Sequence, residues 1–204
     1  QPRAGAWACG PGFTGDNVDT LTVEAVLLAD VPVVLDAGAL AVAARHSEAR
    51  ALIMDRNSRG LVTVLTPHDG EFELLAPGLL DSGCGRIEAA REAARAIGAI
   101  VLLKGPGTIV ASPDGTVFLD DEGTPDLSTA GSGDVLSGLI GALLAGAWAE
   151  GRRDAHSLAE AVAAAAWVHG VAGQVAGTRP PVVATDIVDA IPTALRIARF
   201  GEAE

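Results

Sequence analysis

The sequence predicts a three-layer α/β fold built on a mostly parallel sheet, for two reasons. Short segments that are continuously apolar alternate along the chain with longer segments of helical pattern. A strand that is apolar along its whole length is buried on both faces, as in a parallel sheet that helices cover on each side. The β-α-β alternation favours stacked layers of helices and strands over an all-helical or all-strand fold.

The N-terminal half contains the expected central strands and the helices between them. A short strand is expected before the glycine turn that begins at Gly10. Three further strands are expected over 31–36, 60–66 and 99–104. Apolar residues recur with helical spacing over 18–29, 39–45 and 86–97, which predicts three helices.

The C-terminal half predicts a hairpin and then three helices. Residues 107–112 and 116–120 flank Pro113-Asp114-Gly115, which is a strong turn signal. Helices are expected over 133–149, 154–176 and 185–199. No internal repeat and no shift in composition marks a second domain, so residues 1–204 are expected to form one domain, with its N-terminal portion missing.

Composition excludes several classes of protein. With 49% hydrophobic and 20% charged residues, the chain is globular and not disordered. A net charge of -12 argues against a general nucleic-acid binder, because phosphate contacts need clustered Lys and Arg. The longest apolar segment, 135–149, is too short for a membrane span and too rich in Gly. Because no signal peptide is recognisable at the start, we expect a cytoplasmic protein.

The strongest local feature is a glycine-rich turn, over 128–138, that leads directly into an apolar helix. Glycines let the backbone approach a phosphate, and the first N–H groups of a helix point towards it. Residues Gly131, Ser132 and Gly133 are therefore candidates for phosphate binding. Asp134 follows in the first turn, where it is placed to take a proton from an attacking hydroxyl. The alternative is an ordinary helix start, at which an acidic residue suits the dipole.

Lys104 is the second feature, because it is the one lysine in a chain with thirteen arginines. It follows an apolar strand and opens the loop Lys104-Gly105-Pro106-Gly107-Thr108. A compact ammonium on a flexible stem differs physically from the planar fork of arginine, so a single lysine at a strand end is a candidate ligand contact. The alternative is a chance surface lysine.

Three more polar residues follow predicted strands. His68 and Glu71 lie in a strand-to-helix turn, where they are expected either to contact a ligand or to cap the next helix. Asp36 ends a buried strand and is expected either to face the site or to cap a helix. In open α/β sheets, ligands bind beyond the carboxyl ends of the strands. We therefore expect Asp36, the 66–71 segment and the 104–108 segment to converge on one crevice. His169, in an alanine-rich helix, is expected to be a packing residue.

Taken together, these motifs resemble the NAD(P)H-hydrate dehydratase family, which has a ribokinase-like fold. The resemblance extends from about Trp7 to the C-terminal helices. The motif over 66–71 is the specific one, because the Gly-Ser-Gly-Asp type also occurs in related kinases. The matching segments are Leu-Asp-Ala-Gly-Ala-Leu (35–40), Thr-Pro-His-Asp-Gly-Glu (66–71), Leu-Leu-Lys-Gly (102–105), Thr-Ala-Gly-Ser-Gly-Asp-Val-Leu-Ser-Gly (129–138) and His-Gly-Val-Ala-Gly (169–173).

The resemblance implies a reaction and a role for each residue. The nucleotide phosphate of ADP or ATP, with Mg²⁺, would phosphorylate the ring hydroxyl of hydrated NAD(P)H, and phosphate would then leave. Asp134 resembles the catalytic aspartate and also a contact to the hydrated cofactor. The loop 104–108 and residues 131–133 resemble nucleotide contacts, and His68, Gly12 and Gly15 resemble contacts to the hydrated cofactor. Asp36 and Glu71 would support the site, and no metal ion would be held by protein ligands alone.

The chain also departs from the family pattern and leaves alternatives open. The family commonly has a second aspartate where this chain has Gly38, and a glycine where it has Thr14. A ribokinase-like kinase for a thiazole or pyrimidine alcohol shares the phosphate-binding turn, and a nucleotide-binding homologue without activity fits the departures. Family members are often fused to an N-terminal epimerase domain, which is one possible partner here. We also expect a homo-oligomer.

Overall fold

A computed structural model describes residues 4–14 and 16–201 of the chain. Its sheet has six strands in the order β1-β2-β3-β4-β5-β6. The first four strands are parallel, whereas β5 and β6 form an antiparallel hairpin at one edge. The strands are β1 (Trp7–Cys9), β2 (Val33–Leu35), β3 (Thr63–Leu65), β4 (Ile100–Leu103), β5 (Thr108–Ala111) and β6 (Val117–Asp120). The mostly parallel sheet and the hairpin are confirmed.

Helices connect the parallel strands and follow the hairpin. The helices are α1 (Asn17–Leu27), α2 (Gly38–Arg45), α3 (Ser47–Ser58), α4 (Asp69–Leu75), α5 (Arg86–Ile97), α6 (Ser132–Ala149), α7 (Ala155–Gly177) and α8 (Ala184–Phe200). A 3₁₀ helix over Pro125–Ser128 precedes α6. Six of the eight helices agree with the sequence prediction to within two residues at each end, and α4 begins where a capped helix was considered.

The strands are buried on both faces, and this divides the core in two. Val33 and Leu35 of β2 point towards α1, α2 and α3, whereas Val34 between them packs with α6, α7 and α8. Successive residues of a strand face opposite sides of a sheet, so this alternation requires a layer of helices on each face. Helix α5 extends the first layer over β4 and β5. The three-layer prediction is confirmed.

Helix α3 was not predicted, because its buried face is partly polar. Arg56 lies in this helix with only 1% of its surface exposed. Its guanidinium donates to Thr63 Oγ1 and to the backbone carbonyls of Leu27, Ala29, Val31 and Val62. Burial lowers the pKa of Arg56 to about 10, with a contribution from the charge of Arg59. A charged residue at a core position hides the apolar periodicity of the segment.

Helix α6 is the one helix of the described chain that is long and apolar enough to cross a membrane, judged by length and composition alone. The core helix of a globular domain passes the same test. Leu136, Ile140 and Leu144 of this helix pack in the larger core cluster with α7 and the central strands. These contacts make α6 a core helix, and its first turn lies at the candidate site.

Candidate functional site

Four residues follow the parallel strands and meet at one edge of the sheet. Gly10 follows β1, Asp36 follows β2, Thr66 follows β3 and Lys104 follows β4. The Nζ atom of Lys104 lies 3.0 Å from Oδ1 of Asp36, and Thr66 Oγ1 donates to the carbonyl oxygen of Leu35. A Cβ atom at Gly10 would lie 1.7 Å from the carbonyl oxygen of Asp36, so only glycine permits this turn. The expected convergence of the strand ends is present.

Asp36 is a buried anion within this group. The residue is 2% exposed, and Ser137 Oγ donates to its Oδ2 atom at 2.6 Å. Burial alone would raise the pKa of Asp36, but the charge of Lys104 and hydrogen bonds from Ser137, Lys104 and Thr66 outweigh burial and lower it. The N-cap of α2 is Ala37, with no side-chain capping bond, so the capping alternative for Asp36 is wrong.

Lys104 connects Asp36 to two other parts of the site. Its Nζ atom also lies 3.9 Å from Oε2 of Glu71. A Cβ atom at Gly133 would lie 3.8 Å from the same Nζ atom, which places the ammonium group beside the start of α6. The alternative of a chance surface lysine is wrong, because the side chain is held between two carboxylates and is only 24% exposed.

The start of α6 leaves two backbone N–H groups without internal acceptors. Gly131 adopts a left-handed conformation, with φ 86°, as the N-cap residue. The N–H of Ser132 donates to Thr129 O, and that of Val135 donates to Gly131 O. No acceptor within the described residues receives the N–H of Gly133 or of the next residue, Asp134. Such a pair of amides at a helix N-terminus is a binding site for an anion.

Asp134 lies in the first turn of α6 and is exposed. Its carboxylate forms neither a hydrogen bond nor an ion pair within the part of the chain that the structure describes. A carboxylate that takes no part in a structural network keeps its lone pairs for a ligand. The geometry is compatible with a proton acceptor beside a bound phosphate, although Asp134 does not itself line the cavity described below.

His68 and Glu71 form a reciprocal cap at the start of α4. His68 Nδ1 accepts from the N–H groups of Gly70 and Glu71, at 3.0 and 3.3 Å, and Glu71 Oε2 accepts from the N–H of His68 at 3.0 Å. The capping interpretation is therefore confirmed for both residues. It does not exclude a ligand contact, because the His68 side chain is 62% exposed and lines the cavity.

A cavity of about 760 Å³ opens beside these groups. It is large enough for a nucleotide or a ligand of similar size. Of the residues that the sequence assigned to a site, it is lined by His68, Lys104, Gly105, Pro106, Thr108, Ser132 and Gly133. Asp36, Glu71, Gly12, Gly107, Gly131 and Asp134 lie outside its lining. Gly15 lies outside the described residues.

Two parts of the cavity wall were not anticipated from the sequence. The segment 123–129, which contains the 3₁₀ helix, forms one side, and His169 of α7 forms another. His169 is 6% exposed and hydrogen-bonded, as a packing residue would be, but it also faces the ligand space. A Cβ atom at Gly173 would lie 2.6 Å from Leu127 Cδ2. Glycine on α7 thus lets the 123–129 segment lie close, and this was the available sequence signal.

The described residues contain no group of three or more His, Cys, Asp or Glu side chains placed to hold a metal ion. The site combines the ammonium group of Lys104, the two unpaired amides at Gly133 and Asp134, and the free carboxylate of Asp134, all close to the cavity.

Comparison with known proteins identifies the family. The family model for NAD(P)H-hydrate dehydratase matches residues 1–193. The chain belongs to the NAD(P)H-hydrate dehydratase family. Over 177 residues it is 38% identical to the ADP-dependent (S)-NAD(P)H-hydrate dehydratase of Neisseria meningitidis, covering 83% of the chain and 54% of the relative. Over 143 residues it is 42% identical to the bifunctional NAD(P)H-hydrate repair enzyme of Mycobacterium tuberculosis, covering 70% of the chain and 28% of the relative.

Solved structures of dehydratase-family and related proteins agree with the fold. The ADP/ATP-dependent NAD(P)H-hydrate dehydratase of Bacillus subtilis, co-crystallised with ATP and Mg²⁺ and soaked with CoA, superposes with a TM-score of 0.73 at 30% identity. This superposition covers 94% of the chain and 65% of the B. subtilis protein. A ribokinase-like superfamily protein from Enterococcus faecalis superposes with a TM-score of 0.68 at 21% identity. The superposition covers 94% of the chain and 62% of the E. faecalis protein, and at this identity it confirms the fold alone. The chain spans between about a quarter and two thirds of the length of these proteins.

Proposed function

We propose that this dehydratase-family chain is the nucleotide-binding and catalytic part of an enzyme that uses ADP or ATP to convert hydrated NADH or NADPH back to NADH or NADPH. The observation that carries the proposal is the pair of unpaired amides at Gly133 and Asp134, which lies beside the Lys104 ammonium group at the cavity. Family membership supports the substrate, and this geometry supports the binding of a transferable phosphoryl group.

The residues present fit a nucleotide and Mg²⁺. The cavity has the volume for a nucleotide, and its polar end presents N–H groups and one cation to phosphate oxygens. Mg²⁺ is commonly bound through substrate phosphates and water with few protein ligands. When bound, the metal ion would neutralise charge on the transferring phosphoryl group.

The chain's own groups then have separate tasks. The N–H groups of Gly133 and Asp134 hold the transferring phosphoryl oxygens. Asp134 accepts the proton of the ring hydroxyl, which makes that oxygen a better nucleophile. Lys104, held by Asp36 and Glu71, keeps one positive charge beside the same amides. Phosphorylation converts a poor leaving group into a good one, so elimination of phosphate, together with a proton from the neighbouring ring carbon, restores the dihydronicotinamide ring.

The other assigned residues complete the proposed site. Gly105, Pro106, Gly107 and Thr108 form the loop that would contact the nucleotide, and Gly131 and Ser132 at the start of α6 would contact it as well. His68, Gly12 and Gly15 would contact the hydrated cofactor. Exposed His68 ring atoms at the cavity support this part of the proposal.

One assay separates this function from its alternatives. The full-length protein is incubated with hydrated NADH, Mg²⁺ and either ADP or ATP, while NADH absorbance and phosphate release are followed. The dehydratase restores NADH, releases phosphate, and does neither without nucleotide. A small-molecule kinase would instead accumulate a stable phosphorylated alcohol. Tight nucleotide binding without turnover of any substrate would identify an inactive homologue and would contradict the proposal.

The wider setting of the protein is also proposed. We propose that residues 1–204 form one domain of a longer protein that works in the cytoplasm as a homo-oligomer. An N-terminal epimerase partner is consistent with the name of the bifunctional relative, of which the chain spans 28%. Light scattering of the full-length protein after size-exclusion chromatography measures the oligomeric state directly.

A further inference from the structure

His169 is the one histidine of the described chain that is both buried and in contact with the start of α6. Its Nε2 atom lies 3.0 Å from the carbonyl oxygen of Ser132 and 3.2 Å from Ser132 Oγ. The residue is 6% exposed and also lines the cavity. Its position on α7 was assigned to packing by its sequence context alone, and the proposed reaction makes no use of it.

The first contact defines the proton on the ring. A carbonyl oxygen is only an acceptor, so Nε2 must carry a hydrogen atom for the 3.0 Å contact to be favourable. Burial lowers the pKa of His169 below its ordinary value of 6.5. The hydrogen bond to Ser132 raises this pKa, the charge of Lys104 lowers it, and the net direction is downward. The ring is then neutral at physiological pH, with Nε2 as donor and Nδ1 as acceptor.

The acceptor of this bond belongs to the peptide group that also contains the N–H of Gly133. A hydrogen bond to the carbonyl end of a peptide group polarises it and strengthens the donor at its other end. It also restrains the plane of the peptide, and therefore the direction of the N–H. The N–H of Gly133 has no acceptor within the described residues. It lies in the first turn of α6, where N–H groups are available to bind an anion.

We propose that His169 is a positioning residue that orients and polarises the Ser132–Gly133 peptide group, so that the Gly133 amide binds a nucleotide phosphate more strongly. The chain of contacts runs from the His169 ring, through the Ser132 carbonyl, to the Gly133 N–H and then to the phosphate. This inference rests on the proposed function, because it takes a nucleotide phosphate as the anion. It assigns His169 no contact with the reacting atoms.

Matched substitutions separate this role from simple packing. In His169→Gln, the side-chain amide nitrogen takes a place close to that of Nε2 and keeps a donor towards Ser132. In His169→Met, the side chain has nearly the same length and volume as glutamine but lacks a donor. Both variants fill the space, so they differ in the hydrogen bond alone.

The experiment measures the affinities of the full-length wild type and both variants for ADP and for adenosine, which lacks phosphate. The expected result for His169→Met is an ADP dissociation constant about tenfold higher, because a bond to a charged group is weakened, with adenosine binding unchanged. His169→Gln recovers most of the lost ADP affinity. In the hydrated-NADH assay, His169→Met should raise KM for the nucleotide more than it lowers kcat.

Other results overturn the inference. Unchanged ADP affinity in His169→Met, or equal losses for ADP and adenosine, would show that the residue only fills space. If His169→Met does not fold, the ring nitrogens of the ADP-bound wild type are measured by NMR, and a neutral ring with its proton on Nδ1 rejects the proposal. A third outcome separates the two proposals. If His169→Met selectively loses ADP affinity but the wild type itself never restores NADH, the role of His169 is upheld and the dehydratase function is rejected.

Discussion

Lys104 and Asp36 are separated by 68 residues in the sequence, and their Nζ and Oδ1 atoms are 3.0 Å apart at the carboxyl edge of the sheet. The pair joins the ends of β2 and β4 across β3. Asp36 is buried, so its negative charge depends on this one ammonium group and on the hydroxyls of Ser137 and Thr66. The pair therefore connects the stability of the sheet edge to the charge of the proposed phosphate site.

Replacing the single lysine tests both aspects. Lys104→Met leaves Asp36 buried without its cation, and we expect a loss of about 3 kcal/mol in the free energy of unfolding. Lys104→Arg keeps the charge, but a planar guanidinium cannot take the compact position between Asp36 and Glu71. We therefore expect Lys104→Arg to remain folded and to bind ADP at least about tenfold more weakly. Urea unfolding and calorimetric titration with ADP measure these effects, and wild-type ADP affinity in Lys104→Arg would contradict the assignment.

The stability that Asp36 contributes should depend on pH. Its pKa in the folded protein lies below the ordinary value of 3.8, so the ionised form stabilises the fold above that value, and this stabilisation is lost as pH falls through the folded pKa. Asp36→Asn should be less stable than wild type by roughly 2 kcal/mol at neutral pH. The difference should begin to shrink below about pH 4 and should be lost as pH falls through the folded pKa, because the protonated wild-type carboxyl no longer carries the charge that pairs with Lys104. Urea unfolding of both proteins across this range tests the sign, and a constant difference would refute the pairing.

Asp134→Asn should separate binding from turnover. The substitution removes a base but keeps the shape of the side chain, so we expect intact folding and ADP binding with kcat lower by about 10²–10⁴-fold. Glu48→Gln is the matched control, because Glu48 is also an acidic residue in the first turn of a helix but lies in α3, to which none of the assigned site residues belongs. Steady-state kinetics of NADH recovery compare the two variants. Turnover that survives in Asp134→Asn would reject its role as the base.

The absence of a side chain at Gly38 is a structural requirement of this chain. A Cβ atom there would lie 2.5 Å from the carbonyl oxygen of Phe13, in the glycine turn after β1. Gly38→Ala should therefore lower the free energy of unfolding by about 1–3 kcal/mol and displace the turn. Gly146→Ala, in the interior of α6 with open space around it, should raise it by about 0.5–1 kcal/mol. Thermal and urea unfolding measure the opposite signs, and equal effects would show that the Phe13 contact is unimportant.

Arg56 should matter for stability more than any surface arginine. Arg56→Met removes the guanidinium donor from four backbone carbonyls, of which that of Val62 keeps the N–H of Val33 as a donor. We expect the free energy of unfolding to fall by about 3 kcal/mol. Arg56→Lys keeps the charge but has fewer donors in a different geometry, so its loss should be intermediate. Arg95→Met in the last turn of α5 is a control with an exposed side chain. The proposal of a structural arginine fails if Arg56→Met and Arg95→Met unfold at the same urea concentration.

The fold was predictable where the apolar pattern was undisturbed. Strand β4 and helix α5 were expected within one residue of their observed bounds, because each is flanked by glycine or polar residues and has one clear period. Helix α3 was missed because Arg56 takes a core position, so hydrogen bonds to carbonyls replace the apolar contacts that a pattern records. Tertiary structure decided that segment.

The site was predictable to the extent that topology dictates it. Parallel strands place their carboxyl ends together, so the meeting of Asp36 and Lys104 followed from the predicted sheet. The contact of His169 with Ser132 joins residues that are 37 positions apart on different helices. No local pattern distinguishes such a histidine from one that fills the core, because the crossing of α6 and α7 determines which side of the ring faces the cavity.

Helix α6 joins the cavity to the interior of the protein. Its first turn contributes Ser132 and Gly133 to the cavity wall, and its later turns supply Ile140 and Leu144 to the larger core cluster. Nucleotide binding to the folded protein is therefore expected to raise its melting temperature. Nucleotide at 100 times its dissociation constant adds about 2.7 kcal/mol to the free energy of unfolding. The resistance of the protein to proteolysis should then follow the nucleotide concentration around it.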